Sequence, residues 1–203
     1  TRVYGGDALS DMFRMRNATG LRNMTLQGLL GTLTEQNQFL TQRPTGGAYV
    51  ALDPGTGPDD SKTWIVKRWP YCKNVSMFGE GCVGMKIDGT LHNGGNKSMV
   101  ANDFTTILSN GIGAWVKGTG ALTELVSVFA YYGYAGYLAE DGGKIRATNG
   151  NTSYGTYGVI AEGYDTSEVP ISATIYNRTT QATATLQHSQ GVNNQLLAIQ
   201  YSN

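Results

Sequence analysis

The 203-residue sequence is poor in cysteine, proline and charge. Its two cysteines, Cys72 and Cys82, are too few for a disulfide framework, and we expect them to be small buried thiols. Basic and acidic residues number 15 each, so the formal net charge is +0 and nothing indicates a nucleic-acid partner. No apolar run approaches the roughly 20 residues of a membrane helix, so no membrane partner is expected.

Motifs of common catalytic centres are also missing from the sequence. It contains no nucleotide-binding glycine fingerprint, no zinc-ligand spacing and no nucleophile elbow. The two histidines, His92 and His188, lie 96 residues apart, and no cysteine or serine partner is suggested for either. We therefore expect no catalytic triad and no cofactor.

Glycine, in contrast, is abundant and periodic. The 28 glycines, with frequent Thr, Ser and Asn, are typical of an all-β protein rich in turns. Four similar segments, residues 81–89, 111–118, 133–142 and 155–163, each contain a second glycine followed by a strand-like run. These second glycines are Gly84, Gly113, Gly136 and Gly158, at steps of 29, 23 and 22 residues. This period predicts a solenoid of short stacked strands.

Alignment on these glycines predicts which side chains share a face. Because strand side chains alternate and an unpaired lysine avoids the core, the column containing Lys86 should face outward. Its members are Lys86, Trp115, Leu138 and Ile160, which predicts an exposed apolar ridge. The flanking columns should face inward; they are Met85, Ala114, Tyr137 and Val159, and Ile87, Val116, Ala139 and Ala161.

The local pattern of apolar and turn-forming residues predicts the remaining secondary structure. Met77, Ile107 and Phe129 each lie four residues before the first glycine of a repeat, which predicts an interior stack in a second set of strands. Asn151 takes that position in the last repeat, as a polar ladder or as a loosening of the solenoid. Residues 21–28, 48–52 and 63–66 are predicted strands, residues 29–35 a short helical turn and residues 36–45 a loop.

Acidic residues suggest two sites. Asp53, Asp59 and Asp60 could ligate calcium, or simply belong to a solvated turn. Glu140 and Glu162 share one column with Asp88, and carboxylates on adjacent strands would lie about 5 Å apart, near the spacing of retaining glycosidases. Lys117 interrupts this column, and solvated charges are the alternative interpretation.

Aromatic residues provide the candidate binding surface. Tyr131, Tyr132 and Tyr134 lie close in sequence, and Tyr137 and Trp115 belong to neighbouring columns. Tyrosine suits sugar stacking or a protein interface, although such rings can also fill a core. With the outward ridge, the predicted binding residues are Trp115, Tyr131, Tyr132, Tyr134, Leu138 and Ile160.

The pattern divides the chain into two parts. Residues 1–165 form the predicted solenoid domain, with its clearest repeats in 71–163. Residues 171–176 and 182–186 alternate as a half-buried antiparallel sheet does, so 166–203 is predicted to be a β element that caps the open end of the solenoid. The chain begins at Thr1 and ends directly after an apolar run, as expected of a processed product or a piece of a longer chain.

Several segments resemble those of large virion structural proteins of T4-like phages that infect marine cyanobacteria. The sequence similarity is clearest in residues 89–98 (GTLHNGGNKS) and 142–150 (GGKIRATNG), and it extends to residues 21–33 and 53–60. This resemblance covers most of the chain. It implies a right-handed, single-stranded parallel β-helix in a tail, fibre or baseplate-associated protein of the virion, which is extracellular. It supplies no catalytic motif.

Three functions are compatible with these observations. The first is a structural or adhesive phage module, a rod that contacts other virion subunits or a host-surface glycan, with a homotrimer expected by analogy. The second is a polysaccharide-degrading enzyme, a glycoside hydrolase or lyase, on the same fold. Its acids would come from Asp88, Asp103, Glu124, Glu140 or Glu162. The third is a bacterial surface adhesin of similar build.

Overall fold

The computed structural model describes residues 1–5, 11–16, 19–36, 41–52, 69–91, 98–163, 173–180 and 183–188. The chain divides into two compact units, Thr1–Thr166 and Ser167–Asn203. The described residues are all-β. Their strands are β1 (Arg2–Tyr4), β2 (Phe13–Met15), β3 (Gly20–Leu30), β4 (Leu33–Gln36), β5 (Thr41–Pro44), β6 (Ala48–Leu52), β7 (Tyr71–Glu80), β8 (Val83–Asp88), β9 (Ser98–Ser109), β10 (Ile112–Lys117), β11 (Leu122–Tyr131), β12 (Ala135–Glu140), β13 (Lys144–Thr148), β14 (Asn151–Ser153), β15 (Tyr157–Glu162), β16 (Ala173–Thr180) and β17 (Thr183–His188).

Two parallel sheets make up most of the first unit. The first sheet has the order β1-β3-β7-β9-β11-β13, with β14 also paired to β11, and the second has the order β15-β12-β10-β8-β6-β2. From β7 to β12 the chain alternates between the sheets, so each strand pairs in parallel with its equivalent one repeat later. Two antiparallel pairs, β4 with β5 and β16 with β17, complete the described strands.

The strand register predicted for the second sheet is confirmed. Met85 aligns with Ala114, Ala114 with Tyr137, and Tyr137 with Val159. The column extends back to Val50 and Phe13. Alignment on the second glycine works because these glycines lie too close together for a side chain: a Cβ on Gly84 or Gly113 would collide with the carbonyl oxygen of the corresponding glycine of the next strand.

The inward columns form the core between the sheets, except in the last strand, β15. Met85, Ala114 and Tyr137 are only 1%, 0% and 6% exposed, as predicted, whereas Val159 is 67% exposed. Ala161 is exposed as well, although Ile87 and Val116 of its column are buried. Among the described residues β15 is an edge strand, so nothing there covers side chains that the earlier strands bury.

The first sheet contains a row of aligned residues with left-handed backbone conformation, here called the left-handed ladder, which was not predicted from the sequence. One residue in each of five successive segments has φ between 51° and 55° and interrupts the in–out alternation; these are Asn23, Asn74, Asp103, Ser127 and Asn149. Asn74 donates to the Asn23 side chain at 3.0 Å, and Asn149 donates to the Ser127 hydroxyl at 3.0 Å. The extra residue bends each strand while apolar residues on both sides of the bend still face the core.

The predicted interior stack of Met77, Ile107 and Phe129 is wrong. Met77 is buried and aligns with Thr106, whereas Ile107 and Phe129 are half-buried and belong to two other columns. The first glycine lies at a different point of each connection, four residues after Met77 but five after Thr106 and three after Ala130, so counting from it misaligns the strands. The observed interior column is Leu26, Met77, Thr106 and Ala130.

The predicted helical turn at 29–35 and loop at 36–45 are also wrong. β3 continues to Leu30, and β4 and β5 then form an antiparallel hairpin. Gly31 permits the exit from β3, because a Cβ there would collide with the backbone of Gly81 and Gly46. The predicted strands at 21–28 and 48–52 are confirmed as β3 and β6. The predicted strand at 63–66 lies outside the described residues.

Candidate functional site

The outer face of the second sheet is covered by the β4–β5 hairpin rather than exposed. Leu138, predicted to form an outward ridge, is 0% exposed, and Trp115 and Ile160 are half-buried. Leu33 of β4 packs against the same cluster. The predicted exposed apolar ridge is therefore wrong, because a segment far away in sequence lies over this face. The buried members of the cluster are Ala48, Ala51, Val83, Ile112, Tyr134, Ala135 and Leu138.

Arg43 of β5 joins the hairpin to the two glutamates of the predicted acidic column. The Arg43 side chain is 3% exposed, and its Nη2 atom lies 2.5 Å from Oε2 of both Glu140 and Glu162. Lys117 adds a second cation, with Nζ 3.4 Å from Oε1 of Glu140 and 3.6 Å from Oδ2 of Asp141. We call Arg43, Glu140, Glu162 and Lys117 the hairpin brace.

The brace keeps its cations charged. Burial lowers the pKa of Arg43, but hydrogen bonds and attraction from Glu140 and Glu162 outweigh this effect, so its pKa is raised overall. Lys117 shows the same balance: burial lowers its pKa, while Glu140 and Asp141 raise it further.

Trp115, a predicted binding residue, has cations near its ring. The Nζ atom of Lys86 lies 4.8 Å from the ring centroid, and Cζ of Arg43 lies 5.9 Å from it. Both distances fall within the range of cation–π attraction. The indole Nε1 atom is buried and has no hydrogen-bond partner among the described residues. Trp115 thus belongs to the contact between hairpin and sheet.

The other acidic candidates are dispersed. Asp88 accepts hydrogen bonds from the backbone and hydroxyl of Thr90, at 3.0 and 2.5 Å, and stabilises a 3-10 turn over Gly89–Leu91. It aligns with Lys117, and the two strands β10 and β12 separate it from Glu162. Asp103 belongs to the left-handed ladder, and Glu124 pairs with Arg146 at 3.1 Å on the surface.

The predicted aromatic patch separates into distinct environments. Tyr134 is 8% exposed, and its hydroxyl accepts a hydrogen bond from the Gln42 backbone at 3.2 Å, which ties β5 to the sheet. Tyr137 lies inside and donates to the Val128 carbonyl at 2.8 Å. Burial raises the pKa of Tyr137. Tyr131 is half-buried, with its ring centroid 6.5 Å from that of Tyr132.

Tyr132 remains exposed and stacks on a residue that the sequence analysis did not select. Tyr132 and Tyr154 are 54% and 78% exposed, and their rings stack with centroids 5.5 Å apart at 19°. Tyr157 lies edge-on to Tyr134, with centroids 5.3 Å apart. The spacing of Tyr132 and Tyr154, one repeat apart, was the available signal for this pair.

No cluster of three or more metal-ligating side chains occurs in the part of the chain that the structure describes. The calcium candidates Asp53, Asp59 and Asp60 lie outside that part, as does His92. Likewise, none of the described helices is long and apolar enough to cross a membrane. Comparisons of the chain with protein-family models, curated proteins and solved structures found no match.

Proposed function

We propose that the first unit is a right-handed, single-stranded parallel β-helix that serves as a rigid structural or adhesive module of a phage particle. The observation that carries this proposal is the unbroken parallel column from Val50 through Met85, Ala114 and Tyr137 to Val159. Parallel crossover connections are right-handed in nearly all proteins, which supports the proposed hand.

The hairpin brace supports a mechanical role. Arg43 contacts Glu140 and Glu162, 97 and 119 residues further along the chain, so one side chain links β5 to two adjacent strands. Parallel pairing satisfies the backbone groups of each strand from its neighbours, and the ladder of left-handed residues supports the bend of the first sheet. Such an assembly resists local opening because each repeat is held by the next.

The phage assignment rests on the resemblance of residues 89–98 and 142–150 to virion structural proteins. As proposed partners we retain other virion subunits, a homotrimeric assembly and a host-surface glycan. The polysaccharide-degrading alternative receives no support from Glu140 and Glu162, because both carboxylates contact Arg43.

Labelling of virus particles tests this proposal directly. An antibody raised against the 203-residue chain should label the tail or baseplate of T4-like cyanobacterial phages in electron micrographs. Antigen found in the lysate but absent from purified particles would contradict the proposal. Light scattering of the purified chain tests the proposed trimer separately, since a monomer at high concentration would argue against it.

A further inference from the structure

Two tyrosines occupy backbone positions that suit other residue types better. The residue directly after each of β7, β9, β11 and β14 in the first sheet has a positive φ: 55° at Gly81, 54° at Asn110, 61° at Tyr132 and 58° at Tyr154. Glycine and asparagine adopt this conformation readily, whereas a bulky side chain does so at a cost in free energy. Strained residues of this kind cluster at functional sites.

Burial does not explain the two tyrosines. Their side chains are among the exposed large hydrophobic residues, at 54% for Tyr132 and 78% for Tyr154, whereas the core tyrosine Tyr49 is 0% exposed. The two rings stack on each other, so together they present a larger aromatic surface than either alone. Burial in the core thus explains neither the backbone strain nor the exposure.

A small cleft lies beside Tyr154. Its volume is about 70 Å³, and its lining includes the hydroxyl-bearing residues Thr152, Ser153, Tyr154 and Tyr157. The remaining described lining is Ala130 and the glycines Gly133, Gly136, Gly155 and Gly158, with no charged side chain. The cleft therefore offers hydroxyl groups and accessible backbone next to an aromatic face.

We propose that Tyr132, Tyr154 and this cleft bind a neutral saccharide, an inference that rests on the adhesive part of the proposed function. A sugar ring presents an apolar C–H face, which stacks on tyrosine, and hydroxyls, which suit Thr152 and Tyr157. The Ser153 hydroxyl donates to the Asn151 side chain at 2.6 Å and can accept a hydrogen bond from the sugar. Because the cleft lining has no charged side chain, it suits a neutral sugar better than a charged one. A protein partner would instead insert an apolar anchor into a desolvated pocket, and the hydroxyl-rich lining does not suit that mode.

Titration of the full chain tests the site. The probes are trisaccharides of glucose, galactose and mannose, followed by saturation-transfer NMR and tyrosine fluorescence. At least one should bind with a Kd of about 1 mM or tighter. Tyr154→Ala should weaken that binding about tenfold, because the stacking face is lost. The matched control is Tyr4→Ala, which removes a tyrosine that is 71% exposed in β1 and should leave the affinity unchanged.

A stability readout separates binding from structure. Tyr132→Asn and Tyr154→Asn introduce a residue that tolerates positive φ, so each should keep or raise the Tm while saccharide binding falls. If the Tm and the saccharide affinity both fall in these variants, the rings are structural and the proposal is overturned.

Two other results would also overturn it. One is failure of the unsubstituted chain to bind any of the three trisaccharides. The other is self-association that the Tyr132→Asn/Tyr154→Asn variant abolishes, which would assign the rings to a protein interface. Neither result bears on particle labelling, so failure of the saccharide site and failure of the virion assignment remain distinguishable.

Discussion

Replacement of Arg43 by methionine should release the hairpin from the second sheet. Arg43→Met keeps the apolar stem but removes the cation that lies 2.5 Å from both Glu140 and Glu162. The two carboxylates, with side chains 9% and 19% exposed, would then lose the cation that they share, while Lys117 stays 3.4 Å from Glu140. Removing one partner of a buried ion pair costs about 3–5 kcal/mol, since the remaining charge stays desolvated. For a chain of this size we expect the Tm to fall by about 10 °C.

Thermal unfolding followed by circular dichroism measures this effect, and Trp115 fluorescence, recorded in a Trp64→Phe/Trp69→Phe background, reports on the hairpin. A red shift of the emission should accompany the substitution, because Trp115 lies beneath Arg43 at 5.9 Å. The matched control is Arg146→Met, which breaks a surface pair with Glu124 at 3.1 Å and should cost at most about 1 kcal/mol.

A charge-free version of the brace distinguishes electrostatics from packing. The triple variant Arg43→Met/Glu140→Gln/Glu162→Gln removes the uncompensated carboxylates and should recover most of the lost stability. The reasoning fails if Arg43→Met destabilises the protein no more than Arg146→Met. It fails equally if the triple variant is no more stable than Arg43→Met alone.

Three further predictions concern the core, the ladder and catalysis. Burial raises the pKa of the Cys72 thiol from 9.0 to about 12. The contribution of Cys72 to the free energy of unfolding is therefore complete below pH 9 and is lost as the pH rises towards 12. Cys72→Ala should flatten this decline of stability with pH, measured by urea unfolding. A decline of equal steepness in both proteins would contradict this. Asn74→Ala should cost about 1–2 kcal/mol in the same assay because Asn74 has φ 52°, whereas Asn74→Gly should cost less; equal costs would refute a conformational cause. Finally, Glu140→Gln should not change reducing-end release from cyanobacterial surface polysaccharide, because Arg43 holds that carboxylate. Release that the substitution abolishes would favour the polysaccharide-degrading alternative.

The left-handed ladder was within reach of sequence reasoning. In each first-sheet segment the apolar alternation is interrupted once, at Asn23, Asn74, Asp103, Ser127 or Asn149, and four of these five residues are of types that tolerate positive φ. The turn glycines are a poorer reference for alignment, because their spacing varies between repeats. An alignment on these interruptions would have placed Ala101 and Phe104 inside together.

The hairpin brace could not be predicted in this way. Nothing near Arg43 distinguishes it from a solvated arginine, and its partner Glu140 lies 97 residues away. The outward column was placed correctly as a column, but whether Leu138 is exposed depends on what packs over the sheet. That information resides in contacts between distant segments.

The sequence by itself therefore determined the local order of the second sheet. Alternation of side chains and the glycines of each repeat set which residues align, because both act within one strand and its neighbour. Only the tertiary structure decided the environment of each column. Leu138 is buried under a hairpin, Glu162 is paired with Arg43, and Tyr154 remains exposed at a strained corner, because burial and pairing depend on segments that the backbone pattern does not bring together.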